Sequence, residues 1–280
     1  MVRIITDSAA DYEKDELLNK DIIYLPMTVS FGEKEYRQNV NITKKEFYER
    51  LADSEVFPKT SQPTPFEVED TFRKIKDAGD ECVVITISSG LSGTYQSVCL
   101  LKDTVELENA YIVDSKNATA GERILVDVAV KLRDEGKSAK EIYEKLEVLK
   151  YKVALLGCVD TLEYLYKGGR LSKTAYAVGT MANVKPIITV TKEGKVEVCH
   201  KALSMRRGIK YMVEELKKNP PDTDYPIYAV YSYDSKNGEI LKNKIEEAGY
   251  NLGDENFFEI GSVIGAHVGR GAAGVIYIEK

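Results

Sequence analysis

The chain has 280 residues, 43% hydrophobic and 30% charged, a balance that supports a full core and excludes a disordered or fibrous polymer. Lysine and arginine number 39 against 45 aspartates and glutamates, giving a net charge of −6; with no dense basic run, the electrostatic footprint of a nucleic-acid binder is missing. No apolar run reaches the ~18 residues that a membrane span needs, and nothing after Met1 reads as a signal peptide, so the cytoplasm is the expected compartment.

In chain order, an apolar strand at 2–6 runs into the turn Asp7-Ser8-Ala9-Ala10-Asp11, and a helix follows near 12–19. Residues 22–31 read as one strand with Gly32-Glu33-Lys34 as a hairpin turn, a small insertion over about 24–40. Thr43 with Glu46, Thr64-Pro65 with Glu67, and Ser138 with Glu141 are capping boxes that start helices. Between the first two lies 57–63, which has no apolar period and reads as a loop. The β-branched runs at 82–87, 110–113 and 153–159 read as strands buried on both faces, separated by helices at 95–104, 120–135 and 138–149. Strands alternating with helices predict parallel pairing.

The second half changes pattern. Helical stretches at 161–166 and 172–181 bracket Lys167-Gly168-Gly169-Arg170. A hairpin follows at 185–191 and 195–200, then a helix over 205–217, a strand at 228–233, a helix at 235–248 and a last strand at 274–278. The predicted fold is α/β with two domains: an N-terminal parallel-sheet α/β/α domain over 1–160 and a C-terminal α+β domain with a mixed or antiparallel sheet over 161–280.

Cys82, Cys99, Cys158 and Cys199 are scattered, form no Cys-x-x-Cys pair and read as free buried thiols; no metal site is expected.

Three segments carry candidate chemistry. Ser88-Ser89-Gly90-Leu91-Ser92-Gly93-Thr94 lies between a buried strand and a helix start. Its glycines allow close backbone approach, and its hydroxyls and free amides suit an anion site, or it is simply an N-cap loop. Lys59-Thr60-Ser61-Gln62-Pro63-Thr64 offers hydroxyls in a proline-stiffened loop, or is simply a linker. Gly265-Ala266-His267-Val268-Gly269-Arg270-Gly271 reads as a glycine-rich loop around one of only two histidines. Gly269-x-Gly271-x-x-Gly274 matches the dinucleotide fingerprint literally, but a terminal strand follows where a helix is required. A hydrolase built on Ser92 and His267 needs a third group, such as Asp7 or Asp114, to orient the imidazole.

Taken together, several segments resemble the DegV family of fatty-acid-binding proteins, and the resemblance covers nearly the whole chain. It begins with Thr6-Asp7-Ser8-x-x-Asp11 and Pro26-x-Thr28-Val29-x-Phe31-Gly32, and continues through Lys59–Pro63, with Leu91-Ser92-Gly93-Thr94-Tyr95-Gln96-Ser97 after it. Val113-Asp114-Ser115, Asp160-Thr161-Leu162-Glu163-Tyr164-Leu165 with Gly168-Gly169-Arg170, Lys185-Pro186-Ile187 and Ile264-Gly265-x-His267-Val268-Gly269 complete it. The resemblance implies a long-chain fatty acid held between two domains, its carboxylate gripped by Thr60, Ser92 and His267, with Ser61, Gly93, Thr94 and Gly265 lining the same place. It also implies a carrier without catalysis or cofactor that presents the carboxylate to a separate acyl kinase, with Arg170 either a candidate contact to that partner or a solvated turn residue. The runners-up are a lipid-ester hydrolase and a lipid-responsive regulator. Two departures stand out. Leu203 and Met205 occupy positions where the family often has arginines, and Arg270 and Ala266 replace a proline and a threonine. Arg270 is expected to face solvent.

Overall fold

The structure is a computed structural model and describes residues 1–179 and 184–280. The first half runs β1 (Val2–Asp7), α1 (Lys14–Asn19), β2 (Ile22–Leu25), β3 (Thr28–Phe31), β4 (Lys34–Arg37), α2 (Lys44–Asp53), β5 (Lys59–Ser61), α3 (Pro65–Ala78), β6 (Glu81–Thr86), α4 (Thr94–Val105), β7 (Ala110–Asp114), α5 (Ala120–Asp134) and α6 (Ala139–Leu149). The second runs β8 (Val153–Cys158), α7 (Glu163–Lys167), α8 (Lys173–Gly179), β9 (Lys185–Val190), β10 (Val196–Ala202), α9 (Met205–Lys218), β11 (Tyr228–Tyr231), α10 (Lys236–Glu247), β12 (Phe257–Glu259), α11 (Ser262–Val268) and β13 (Ala273–Ile278).

The predicted α/β class holds. An all-parallel sheet in the order β2-β1-β6-β7 forms the N-terminal domain. Because strand side chains alternate, Ile4, Val83 and Ile85 enter one core while Ile5, Cys82 and Val84 enter another. α3 and α4 close the second face through Phe72 and Val98, and α5 and α6 close the first through Ile124 and Ile142. The C-terminal domain is a mixed sheet in the order β10-β9-β8-β13-β11-β12, antiparallel except for the β11–β12 pair. α9 and α10 cover one face of it through Met212 and Leu241. Its other face sends Leu155, Ile188, Ile276 and Ile278 into the same core as α5, so a single apolar layer joins the two sheets.

Several expectations are corrected. The run 22–31 is two strands in different sheets: β2 pairs with β1, whereas β3 pairs with β4 and β5. The chain turns between them at Pro26, which has no N–H for a ladder. Residues 57–63 are not all loop, because Lys59–Ser61 adds antiparallel to β3. β8, read with the first half of the chain, hydrogen-bonds in the second sheet with β13 and β9. The supposed glycine loop around His267 is mostly α11. The capping boxes at Thr43 and Ser138 form. Thr64 caps α3, but Glu67 turns its carboxylate to the Thr64 hydroxyl and to Arg37. Of the helix expected at 172–181, Thr180 and Met181 lie outside the described residues. All four cysteines are free, but only Cys82 and Cys158 are buried. Among the described residues no helix is long and apolar enough to cross a membrane, and no cluster of three or more His, Cys, Asp or Glu side chains is gathered for a metal.

Candidate functional site

A cavity with about 630 Å³ of atom-free space, its open mouth included, is walled by loops of the N-terminal half and by strands β8, β9 and β10 of the second sheet. Met27, Ile87 and Ala118 come from the N-terminal side; Leu155, Ile188 and Val190 come from β8 and β9. Among the described residues seventeen line it, twelve of them apolar; the five polar ones are Thr60, Ser92, Thr119, Arg170 and His267. An apolar pocket with a few converging polar groups is the usual form of a small-molecule site.

The polar groups arrive from distant segments. β5 is only three residues long, and its alternation turns Thr60 inward while Lys59 and Ser61 stay exposed. Thr60 Oγ1 is hydrogen-bonded to His267 Nε2 at 2.8 Å. His267 sits near the end of α11, buried, with its ring against Gly168: a Cβ on that glycine would lie 2.2 Å from Nδ1. Among the described residues Nδ1 itself has no hydrogen-bond partner. Burial, with the nearby Arg170 charge adding to it, pushes the imidazole down to about 3, so the ring is neutral at ordinary pH. The chain has two histidines, so a His200→Gln protein leaves His267 alone. Its ring resonances are expected to stay fixed between pH 5 and pH 8 in an NMR titration; movement through that range would show that the ring is not buried as described.

Ser92 lies in the tight segment before α4, and its Oγ is 2.8 Å from Thr94 Oγ1 and accepts from the Thr94 amide at 3.3 Å. Arg170 is half-buried: Nε donates to the Leu91 carbonyl at 2.9 Å and Nη1 to the Gly168 carbonyl at 2.5 Å. It therefore links the α7 turn to the serine segment at the cavity wall and is not a solvated turn residue. Burial disfavours its charged form relative to a free guanidinium.

Thr60, Ser92 and His267 thus share one cavity. The expected secondary residues do not line it. Ser61 and Gly93 are exposed, Thr94 is buried beneath Ser92, and Gly265 packs on Phe47 and Tyr48. Arg270 faces solvent, its guanidinium over the Tyr233 ring. The glycines near His267 serve packing and helix termination: Gly269 ends α11 at φ +70, with the Tyr164 ring pressed where a Cβ would be. Sequence reasoning missed Thr119 and the apolar lining, since a buried threonine or leucine carries no local signal that separates wall from core.

The geometry does not assemble a hydrolytic triad. Asp7 accepts from the Ala9 and Ile87 amides, and Asp114 accepts from the Ser89 and Lys116 amides and pairs with Lys116 at 2.7 Å. Neither reaches the Nδ1 that a triad carboxylate would hold.

The family model described as "Uncharacterised protein, DegV family" matches residues 1–280. The chain belongs to the DegV family. A DegV domain-containing protein of Clostridium acetobutylicum is 35% identical, with 100% of this chain and 99% of that protein covered. Among solved structures, a stearic-acid-binding protein of Eubacterium ventriosum superposes with TM-score 0.89 at 30% identity, covering 99% of this chain and 98% of its own. A DegV family protein of Thermus thermophilus, solved with regard to its fatty-acid binding, superposes with TM-score 0.88 at 27% identity, covering 100% and 99%. The DegV fold with its parallel N-terminal sheet and mixed C-terminal sheet is therefore common to this chain and to fatty-acid-binding structures.

Proposed function

We propose that the cavity holds one long-chain fatty acid between the two domains, and that the protein is a carrier without chemistry of its own. The observation that carries this reading is the composition of the wall: a polar group of Thr60, Ser92, Arg170 and His267 opens onto a lining that is otherwise mostly apolar among the described residues. Fatty-acid-binding relatives of the same fold support it.

The energetics divide the work. Burying a methylene yields roughly 0.8 kcal/mol, so a chain of about fifteen offers on the order of 12 kcal/mol before ordering costs. A charge-assisted hydrogen bond at the head adds about 1.5–3 kcal/mol. The tail sets affinity and the head sets which way the acid points. Thr60 and His267 hold each other, Thr94 steadies the Ser92 hydroxyl, and Arg170 supplies the positive charge at the cavity wall. In this reading the domains, about 1–160 and 161–280, meet around the ligand, with β8 lent to the second sheet. Of the residues expected in a secondary role, Thr94 supports the head end by holding Ser92; Ser61, Gly93 and Gly265 stand away from it.

Presentation of the carboxylate to a partner acyl kinase in the cytoplasm belongs to the same proposal. Leu203 is 67% exposed where the family often has arginine, so any basic contact would fall to the exposed Arg206 and Arg207 that follow it.

The test is displacement of a fluorescent polyene fatty acid by palmitate. Saturable displacement at one site per chain is expected. Ser92→Ala is expected to weaken palmitate about tenfold, the loss of one charge-assisted bond, with an unchanged melting temperature. No displacement by palmitate would remove the reading; unchanged affinity in the alanine protein would remove Ser92 from the headgroup site.

A further inference from the structure

α11 supplies Val263, Ile264, His267 and Val268 to the cavity, yet the start of that helix is held by side chains more than two hundred residues away. The Gly261 amide donates to Asp11 Oδ1 at 2.9 Å. Gln38 Oε1 accepts from the Ser262 hydroxyl at 3.0 Å and from the Val263 amide at 3.2 Å, and the Tyr48 hydroxyl donates to the Ile260 carbonyl at 3.0 Å. The fit is tight, because a Cβ on Gly261 would lie 2.7 Å from Asp11 Oδ1 and 2.5 Å from the Gln38 amide.

The other oxygen of the same carboxylate holds a second segment of the cavity lining. Asp11 Oδ2 accepts from the Thr119 hydroxyl at 2.7 Å. Thr119 lines the cavity with φ +50 and ψ −135, a conformation that a β-branched residue adopts only when its surroundings enforce it. Asp11 is itself fully buried in the left-handed region at φ +58, and its carbonyl accepts from Lys44 Nζ at 3.3 Å. Lys44 also donates to the Glu259 carbonyl at 2.8 Å, just before α11. Both partners of the Asp11 carboxylate are donors, so two acceptor oxygens match them. An alanine satisfies neither, and an asparagine satisfies the amide while the threonine hydroxyl turns to accept.

We infer that Asp11 is a positioning residue for the fatty-acid headgroup: one buried carboxylate ties Gly261 to Thr119 and so fixes where α11 places His267 relative to that cavity-lining threonine. It does not touch the cavity. This inference rests on the fatty-acid reading above.

A positioning role and a merely structural one differ in which ligands they affect. Palmitate and hexadecanol share a tail and differ at the head, and both can displace the fluorescent polyene acid. Asp11→Ala is expected to lose at least about tenfold in palmitate affinity while hexadecanol changes less than about threefold, and Asp11→Asn is expected to recover most of the loss. Thr119→Val, which deletes one donor and keeps the shape, is expected to erode the palmitate preference in the same direction, and it carries the test if Asp11→Ala does not fold. Parallel loss of both ligands, or no change in either, overturns the inference while leaving the fatty-acid reading intact. Failure of palmitate to displace the probe from the unsubstituted protein removes both.

Discussion

Ala118→Leu is expected to weaken palmitate binding about a hundredfold and to leave the fold in place. Ala118 is 6% exposed and stands on the cavity wall beside the start of α5. Three added carbons would occupy space that three or four ligand methylenes need, and at roughly 0.8 kcal/mol each their exclusion removes about 3 kcal/mol, or two powers of ten. The same carbons fill atom-free volume, so overpacking is not expected to offset the gain in buried surface. Displacement titration and a melting curve check the two halves together. Undiminished palmitate affinity in a folded Ala118→Leu protein would place the alkyl chain elsewhere.

Gly168→Ala tests the head end without removing any polar group. The backbone at Gly168, φ −73 and ψ −8, is open to alanine, so the effect is steric alone. The new methyl carbon would sit 2.2 Å from His267 Nδ1 and 2.9 Å from the Tyr164 carbonyl oxygen. The ring is held at its other edge by Thr60 and cannot swing freely. It must move and give up that bond, and with it the alignment of the donor that the Thr60–His267 pair presents to the headgroup. At about 2 kcal/mol for that charge-assisted bond, palmitate affinity is expected to fall about thirtyfold, with hexadecanol affected less. A protein that binds palmitate as tightly after this change would show that His267 takes no part in holding the acid.

The strands of the first half were legible because each is a continuous β-branched run: 82–87 and 110–113 appear almost unchanged as β6 and β7. The capping boxes located α2 and α6 for a comparably local reason. β5 and β12 were not legible, since three residues carry no period and their strand character comes entirely from partners β3 and β11. α11 was misread as a loop because Gly265 and Gly269 look like punctuation; their glycine character instead answers the aromatic rings of Phe47, Tyr48 and Tyr164 packed on the helix. Thr60, Ser92 and His267 lay in segments that residue type and glycine pattern singled out, and the family resemblance chose them within those segments. The cavity wall could not, because Ile188 in a wall and Ile187 in a core are the same residue to a sequence reader, and only the pleat of β9 sends them to opposite faces. Asp11 stood in a conspicuous motif, but its bond to Gly261 joins residues 250 positions apart and has no local trace.

The central claim is that an apolar cavity with one polar end holds one fatty acid. Purified protein, denatured and extracted without added lipid, is to be analysed by mass spectrometry against an internal standard. About one long-chain fatty acid per chain is the result this account predicts. A lipid-free extract from a protein that also fails to take up palmitate afterwards would contradict it.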